Sequence, residues 1–527
     1  MKKIFIVIIL ITGVTFFTSC KKNFLDVAPQ SQLSSATFWR DANDATQAAT
    51  GVYATWSSNH SYQLYFADDW SDDAIPTGFW HFFYYYTWGI GNISPSEDNL
   101  NTYWAALYAV IRNANVFLTN VDRCVMDETL KNRLKGEISF IRAFEYHLLN
   151  NTWGEVPLAD RPLNVDELKT PRADAGKTLQ FILDDLDFAI ANLPVAPPQA
   201  GRITKGAALA LKSRVLLYAG KFAEAATAAK LVIDLNTYQL LRTPAGDGYY
   251  QLRNTKQNNN QEEILGWQND GTNRGNDLVA FANFSTNTLV SPTKALIDAY
   301  DGYNKTTDQL VPIDESTVTS RFINRDPRLD FSIAHTGTTF NGQTLNSEAA
   351  PLSGHSTGYG VSKFITDEVL ANNPKNTTDN ILIRYAEVLL TYAEAKIEAN
   401  QIDQSVLDAI NDVRSRAYGT TVTNVAKYPE ITITDQASLR SIVRKERRVE
   451  LAFEGLRWFD IKRWKIAAGA GGTMNGSVSG AYLSNGTYKD AGSRALNDAG
   501  RDYLRPIPQK QIDLTGKDIL LQNPGYQ

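Results

Sequence analysis

Residues 205–235 read KGAALALKSRVLLYAGKFAEAATAAKLVIDL, and this stretch decides the fold class. Ala207 to Tyr218 reads as one apolar, alanine-rich helix. Ala219-Gly220-Lys221 then breaks the pattern as a turn. Phe222 to Leu235 resumes as a second helix, and Ala223, Ala225, Ala226, Ala228 and Ala229 let the two pack closely. An antiparallel helix pair of this kind is the unit of a tetratricopeptide-like array. Asn380 to Asn400 followed by Gln404 to Tyr418 repeats it, with Ala393 and Ala395 at the close contact. The pairs do not recur at the ~34-residue period of a free solenoid. Long insertions separate them, so the helices read as a scaffold and the insertions as its decoration.

Three more helices flank this centre. One runs through Ala42, Ala45, Ala49 and Val52, with a cap expected from the Ser34 to Thr37 stretch. Another covers about 99–120, where Trp104, Leu107, Tyr108, Ile111 and Leu118 recur at helical spacing. A third covers about 128–150, with Leu134, Ile138, Ile141 and Leu148 on its buried side. The decoration comprises residues 59–98, 241–380 and 468–500, with strand-like runs such as 263–267. The expected class is therefore mainly α, a tetratricopeptide-like helix-pair scaffold with long irregular loop insertions and minor β.

Composition narrows the function. The 527 residues include 52 Lys+Arg against 57 Asp+Glu, a net charge of -5. Nucleic-acid proteins usually carry a clear basic excess, so no nucleic-acid partner is expected. With 2 Cys and 5 His, a disulfide scaffold and a Cys-rich zinc fold are excluded. Cys124 reads as a small packing residue.

The N-terminus reads as an address. Lys2 and Lys3 precede an apolar run from Ile4 to Ile11 that weakens towards Phe17, and Phe17-Thr18-Ser19-Cys20 follows. The run is shorter than the ~20 residues of a spanning helix and fits the h-region of a secretory signal. Small residues directly before Cys20 match a bacterial lipoprotein cleavage site. Residues 1–19 are expected to be removed and Cys20 to be acylated. Loss of Lys2 and Lys3 would move the net charge from -5 to -7.

Taken in order along the chain, several local patterns resemble the SusD/RagB family of Bacteroidetes outer-membrane lipoproteins. They include Cys20 followed by Phe24-Leu25-Asp26-Val27-Ala28-Pro29, and WAALYAVIRNAN at 104–115. GEISFIRAFEYHLLNNTWGEVPL at 136–158 and NILIRYAEVLLTYAEA at 380–395 follow. ERRVELAFEGLRWFDIKRW at 446–464 is the most specific, and LRPIP at 504–508 and QNPGY at 522–526 close the set. Ser139, Glu145 and Trp153 depart from the usual residues, and Lys21-Lys22 stand where export signals favour acids. The resemblance implies a SusD-like fold in one composite domain, with a signal peptide at 1–19, an N-terminal helical part at 20–240 and a C-terminal part at 241–527. It implies four helix pairs beneath an irregular ligand-binding face. It also implies a lipid anchor in the outer membrane, facing outward, and a role as lid over a SusC-like TonB-dependent transporter. The cargo would be an oligosaccharide, or an oligopeptide in the RagB-like branch, and no reaction would be catalysed.

Sugar recognition needs aromatic faces for pyranose C–H groups and planar polar groups for paired hydroxyls. Residues 68–92, DDWSDDAIPTGFWHFFYYYTWGIGN, hold both. Trp80, Tyr84, Tyr85 and Trp88 are the stacking candidates, and Asp72, Asp73 and Asn92 the polar ones. Roughly half of the rings in this stretch are expected in the core. Trp80→Ala or Trp88→Ala should then abolish glycan retention and leave helical content intact. Trp267, Asn269, Arg274 and Asn276 form a second candidate group. No cofactor is expected. Ca²⁺ at Asp69, Asp72 and Asp73 is the alternative, although the Asp-x-Asp-x-Asp-Gly spacing is absent. A lipid-anchored glycosidase is the enzymatic alternative, for which two carboxylates ~5–9 Å apart would suffice. In 440–463, Arg447, Arg448 and Arg457 are expected to pair with Glu446, Glu450 and Glu454 along one helix.

Overall fold

The computed structural model describes residues 38–60, 65–76, 86–252, 260–269, 290–340, 343–344, 356–365 and 377–526. Four helix pairs form its frame: α1 (Ala42–His60) with α2 (Asp98–Asn120), α3 (Glu128–Trp153) with α4 (Ala175–Asn192), α5 (Lys205–Tyr218) with α6 (Phe222–Asp234), and α7 (Tyr385–Glu398) with α8 (Gln404–Ala417). Each helix packs on the next, α6 on α7 included, so the stack stays continuous across the long insertion between the third and fourth pairs.

Local chemistry sets the helix ends. The Thr204 side chain accepts from the Ala207 N–H to start α5, and Asp127, Asp174 and Asp403 cap α3, α4 and α8. Asp41 Oδ1 accepts from the N–H groups of Asn43 and Asp44 and opens α1. The cap thus lies C-terminal to the expected Ser34–Thr37 stretch, itself outside the described residues. At the end of α5 the Lys221 N–H reaches the Leu216 carbonyl and the Gly220 N–H that of Leu217. This reversal needs the positive φ of Gly220, 73°. Asn400, at φ 55°, closes α7 in the same way.

α5 and α7 are buried on every side and act as central rods. Ala225, Ala226, Ala228 and Ala229 of α6 are buried where it packs on both. Cys124 is buried as a packing residue. The strands are short, and those described pair two by two, so the fold is mainly α with minor β.

Three expectations change. Asn380–Arg384, read as the start of a helix, is a strand, β4, paired antiparallel with β2 (Glu263–Trp267). α4 was not anticipated, and neither was the hairpin of β5 (Asn475–Tyr482) and β6 (Tyr488–Ala495) within the 468–500 loop. The 440–463 helix is two helices, α9 (Gln436–Glu450) and α10 (Arg457–Arg463). Between them Phe453 and Gly455 take positive φ, 62° and 73°. The break turns the charged side chains away from each other and towards distant partners. Leu451, Phe453 and Trp458 face inward.

Candidate functional site

β1 (Ala74–Pro76) pairs antiparallel with β3 (Val290–Pro292), with Pro76 opposite Val290. Residues 77–85 therefore leave the described fold beside the point where residues 270–289 rejoin it. Trp80, Tyr84, Tyr85, Arg274 and Asn276 lie outside the described residues.

The ladder is riveted from behind. Asp72 accepts from Arg457 through both oxygens, at 2.7 and 2.9 Å, and Asp73 accepts from Arg448 at 2.6 Å. Asp68 accepts from the Gly455 N–H at 2.7 Å. Arg494 of β6 donates to the carbonyls of Ser71 and Ala74. The carbonyls of Asp73 and Asp72 accept from the Thr293 N–H and hydroxyl, at 2.8 and 2.7 Å. The break between α9 and α10 thus clamps the base of the edge.

This geometry corrects several expected roles. Asp72 and Asp73, expected to meet sugar, are buried and spent on guanidinium groups. Trp88 has no exposed surface, with its ring 4.7 Å from Trp70 and the Arg505 guanidinium 5.2 Å above it. A ring covered on its faces cannot stack on a pyranose. Trp267 is buried edge-on against Trp56 at 5.4 Å. Asn269 is buried too, donating to the Thr378 carbonyl and the Asn380 side chain. Asn92 is exposed, just after a turn in which Gly91 presses against Ala495 and Leu496. Of the candidates that can be placed, Asn92 alone is exposed. Arg447, Arg448 and Arg457 also pair differently from expectation: Arg447 meets Asp460 and Glu394, and the other two meet Asp72 and Asp73.

A ring cluster that sequence reasoning missed borders the same edge. Tyr482 and Tyr488, at the two ends of the hairpin turn, are half-buried with centroids 5.2 Å apart. The Arg321 guanidinium lies 4.1 Å from the Tyr482 ring and donates to the Tyr488 hydroxyl at 2.8 Å. Lys294, just after β3, sits 4.7 Å over Tyr488. The Ala481 N–H donates to the Thr357 carbonyl at 2.7 Å, which ties the hairpin to the 356–365 segment. The signal was available, since Asn485-Gly486 between two tyrosines is a hairpin turn pattern.

Electrostatics divides neighbouring aspartates. Burial opposes ionisation of Asp72, but Arg448 and Arg457 together outweigh it and hold the carboxyl well below the usual range. Burial, reinforced by Asp68, pushes the Asp69 carboxyl well above that range, and its Oδ1 has no hydrogen-bond partner among the described residues. The contribution of Asp72 to stability is therefore present above the ordinary carboxylate pKa and fades as pH falls. That of Asp69 is complete below this pKa and fades as pH rises. At pH 8, Asp72→Asn is expected to destabilise by roughly 1.5–3 kcal/mol, the value of hydrogen bonds to a charged group. Asp69→Asn is expected to hold or raise the denaturant midpoint. Equal losses in the two variants would refute this division.

Among the described residues no group of three or more His, Cys, Asp or Glu is arranged to hold a metal ion. No described helix is long and apolar enough to cross a membrane.

Comparison with known proteins places this geometry in context. Residues 245–526 match the model of the SusD family, and residues 23–217 match a model described as starch-binding, associating with the outer membrane. A SusD-like protein of Formosa agariphila is 28% identical over 455 residues, covering 83% of each chain. A crystal structure of a SusD-like protein from Bacteroides fragilis shares 27% identity and a TM-score of 0.77, covering 95% of this chain and 100% of its own. A SusD-like carbohydrate-binding protein of the same species shares 25% identity and a TM-score of 0.77, covering 91% of this chain and 99% of its own.

Proposed function

Because the chain belongs to the SusD family, we propose that it is a surface lipoprotein that captures oligosaccharide without altering it and delivers it to a SusC-like TonB-dependent outer-membrane transporter. One observation carries the reading: the β1–β3 ladder, with Lys294 just after it lying over Tyr488 of the Tyr482–Tyr488 pair, stands on a base clamped by buried ion pairs. Binding by loops carried on a rigid frame suits this design. The description of the matched N-terminal family model and the carbohydrate-binding relative support a glycan as ligand. Trp80, Tyr84 and Tyr85 supply ring faces, and Asn92, Arg274 and Asn276 pair with hydroxyls. Residues 1–19 direct export, and acylated Cys20 holds the protein on the outer leaflet, since two or more acyl chains give durable attachment.

Affinity electrophoresis in native gels containing a polysaccharide panel tests the proposal, with an oligopeptide panel as the comparison. Retardation by a polysaccharide without release of reducing ends is expected. An anchoring aromatic typically carries about 2 kcal/mol, so Trp80→Ala should weaken retention about thirtyfold with the circular dichroism unchanged. Release of sugar would refute the non-catalytic role. Binding of peptides alone would move the cargo to the second class.

A further inference from the structure

β2 and β4 pair so that Trp267 stands opposite Asn380 at one end and Glu263 opposite Arg384 at the other. The Trp267 end carries Asn269, which donates to the Asn380 side chain. The Glu263 end leads to Gln261 on one strand and Tyr385 on the other. At about 3.3 Å per residue the ladder sets its ends roughly 15 Å apart. At the Glu263 end opens a cleft of about 470 Å³, lined by the polar side chains of Tyr238, Gln239, Arg242, Gln261, Tyr385 and Asp412 beside Leu240 and Leu241. Arg242 also lines an adjoining cleft of about 270 Å³, where Gly246 and Gly419 meet backbone to backbone. A Cβ on either glycine would fall within 2.9 Å of the other's carbonyl oxygen.

The lining is held in place. The Tyr238 ring rests on Gly206, where a Cβ would come within 2.3 Å of its hydroxyl, and that hydroxyl lies 3.1 Å from Thr204 Oγ1. Its centroid is 6.5 Å from that of Tyr385, with the planes 30° apart. The Gln239 N–H donates to the Gln261 carbonyl at 3.2 Å, which sets two exposed glutamines on neighbouring segments. Arg242 donates to Asp412 Oδ1 at 2.6 Å and to the Ser415 hydroxyl at 3.0 Å, so the charge of the guanidinium is cancelled on site.

The chemistry is selective. Carboxamides, phenols and a neutralised guanidinium–carboxylate pair offer donors and acceptors in planar groups without net charge. Such a lining suits a polyol better than an anion or an apolar chain. The geometry points to a second subsite for a neutral oligosaccharide in the Tyr238–Asp412 cleft, at the Glu263 end of the β2–β4 ladder. The choice of a glycan rests on the capture function proposed above. One polymer spanning both sites would be held by effective concentration, with each contact weak.

Isothermal titration of the purified chain with maltotetraose and laminaritetraose, and with the parent polymers, tests this. The wild type should take up two tetrasaccharides of a recognised type per chain. The double variant Gln239→Ala/Gln261→Ala should take up one, and its affinity for the polymer should fall at least tenfold. Both glutamines are exposed, so the melting temperature should not move. Trp80→Ala should also leave one site, the one in the cleft. Unchanged stoichiometry and polymer affinity in the double variant would overturn the cleft subsite while leaving capture at the loop edge intact. Failure of Trp80→Ala alone would overturn the loop-edge assignment and leave the cleft standing. No binding of either sugar by the wild type would overturn the neutral-glycan subsite.

Discussion

Glu450→Ala is expected to destabilise the folded chain by about 3–5 kcal/mol, the usual loss when one member of a buried ion pair is removed. Glu450 and its partners Arg384, Arg416 and Arg328 are all buried. The same guanidinium groups are shared with Glu262, Glu446, Asp326 and Glu454. Lys363 and Arg414 complete the network through Glu454 and Glu446. The Glu450 carbonyl accepts from Arg384, Lys363 and the Tyr249 hydroxyl as well. Truncation would take one carboxylate from three buried guanidinium groups at once and leave each with fewer counter-charges than it was packed with. The midpoint of denaturant unfolding measures the loss, and a shift of under 1 kcal/mol would refute the assignment.

Acid should act on the same network. Burial opposes ionisation of Glu450, but Arg416, Arg384 and Arg328 overcome it and hold the carboxyl well below its ordinary range. Glu454 and Asp460 are lowered likewise, against burial, by their basic neighbours. Such groups stabilise the fold above the ordinary carboxylate pKa and lose that contribution as pH falls. His147, pushed down to about 3 by burial, acts in the same direction, because the unfolded chain takes up a proton near pH 6.5 that the folded chain refuses. Stability should therefore decline steadily below about pH 6.

Trp88→Ala carries the second large effect, about 3–5 kcal/mol of lost stability for a fully buried indole. The ring packs on Trp70 and Tyr103, with centroids 4.7 and 5.9 Å away, and beneath Arg505. Near-ultraviolet dichroism and the unfolding midpoint should change together, and any loss of glycan retention should follow the loss of fold. A Trp88→Ala chain that keeps wild-type stability but loses retention would restore the ring to the ligand-binding face. Trp80→Ala, in the same stretch, is expected to do the reverse and weaken binding without touching the midpoint.

The contrast between these tryptophans shows where sequence reading stops. Trp80 and Trp88 lie in one run of aromatics and acids with no strong period to tell inward from outward. The burial of Trp88 depends on Trp70 and on Arg505, more than four hundred residues downstream. The aspartates behave in the same way. Asp72 looks like a sugar-binding carboxylate until Arg457 is brought against it by the break after α9. The apolar residues of Asn380–Arg384 run on into α7, and only pairing with Glu263–Trp267 makes the segment a strand.

What the linear chain determined by itself was whatever is local. The 3.6-residue apolar period, the Asp and Thr caps and the Gly220 turn set the helices of the scaffold, because each depends on neighbours within a turn or two. Cys124 as packing and the family's ordered motifs were legible for the same reason. Tertiary structure alone decided the partners of the described buried charges and the burial of Trp88 and Trp267. An arginine carries the same charge whichever carboxylate it meets, and a tryptophan the same apolar surface whether core or sugar covers it. Only the closing of long loops onto one frame chooses between them.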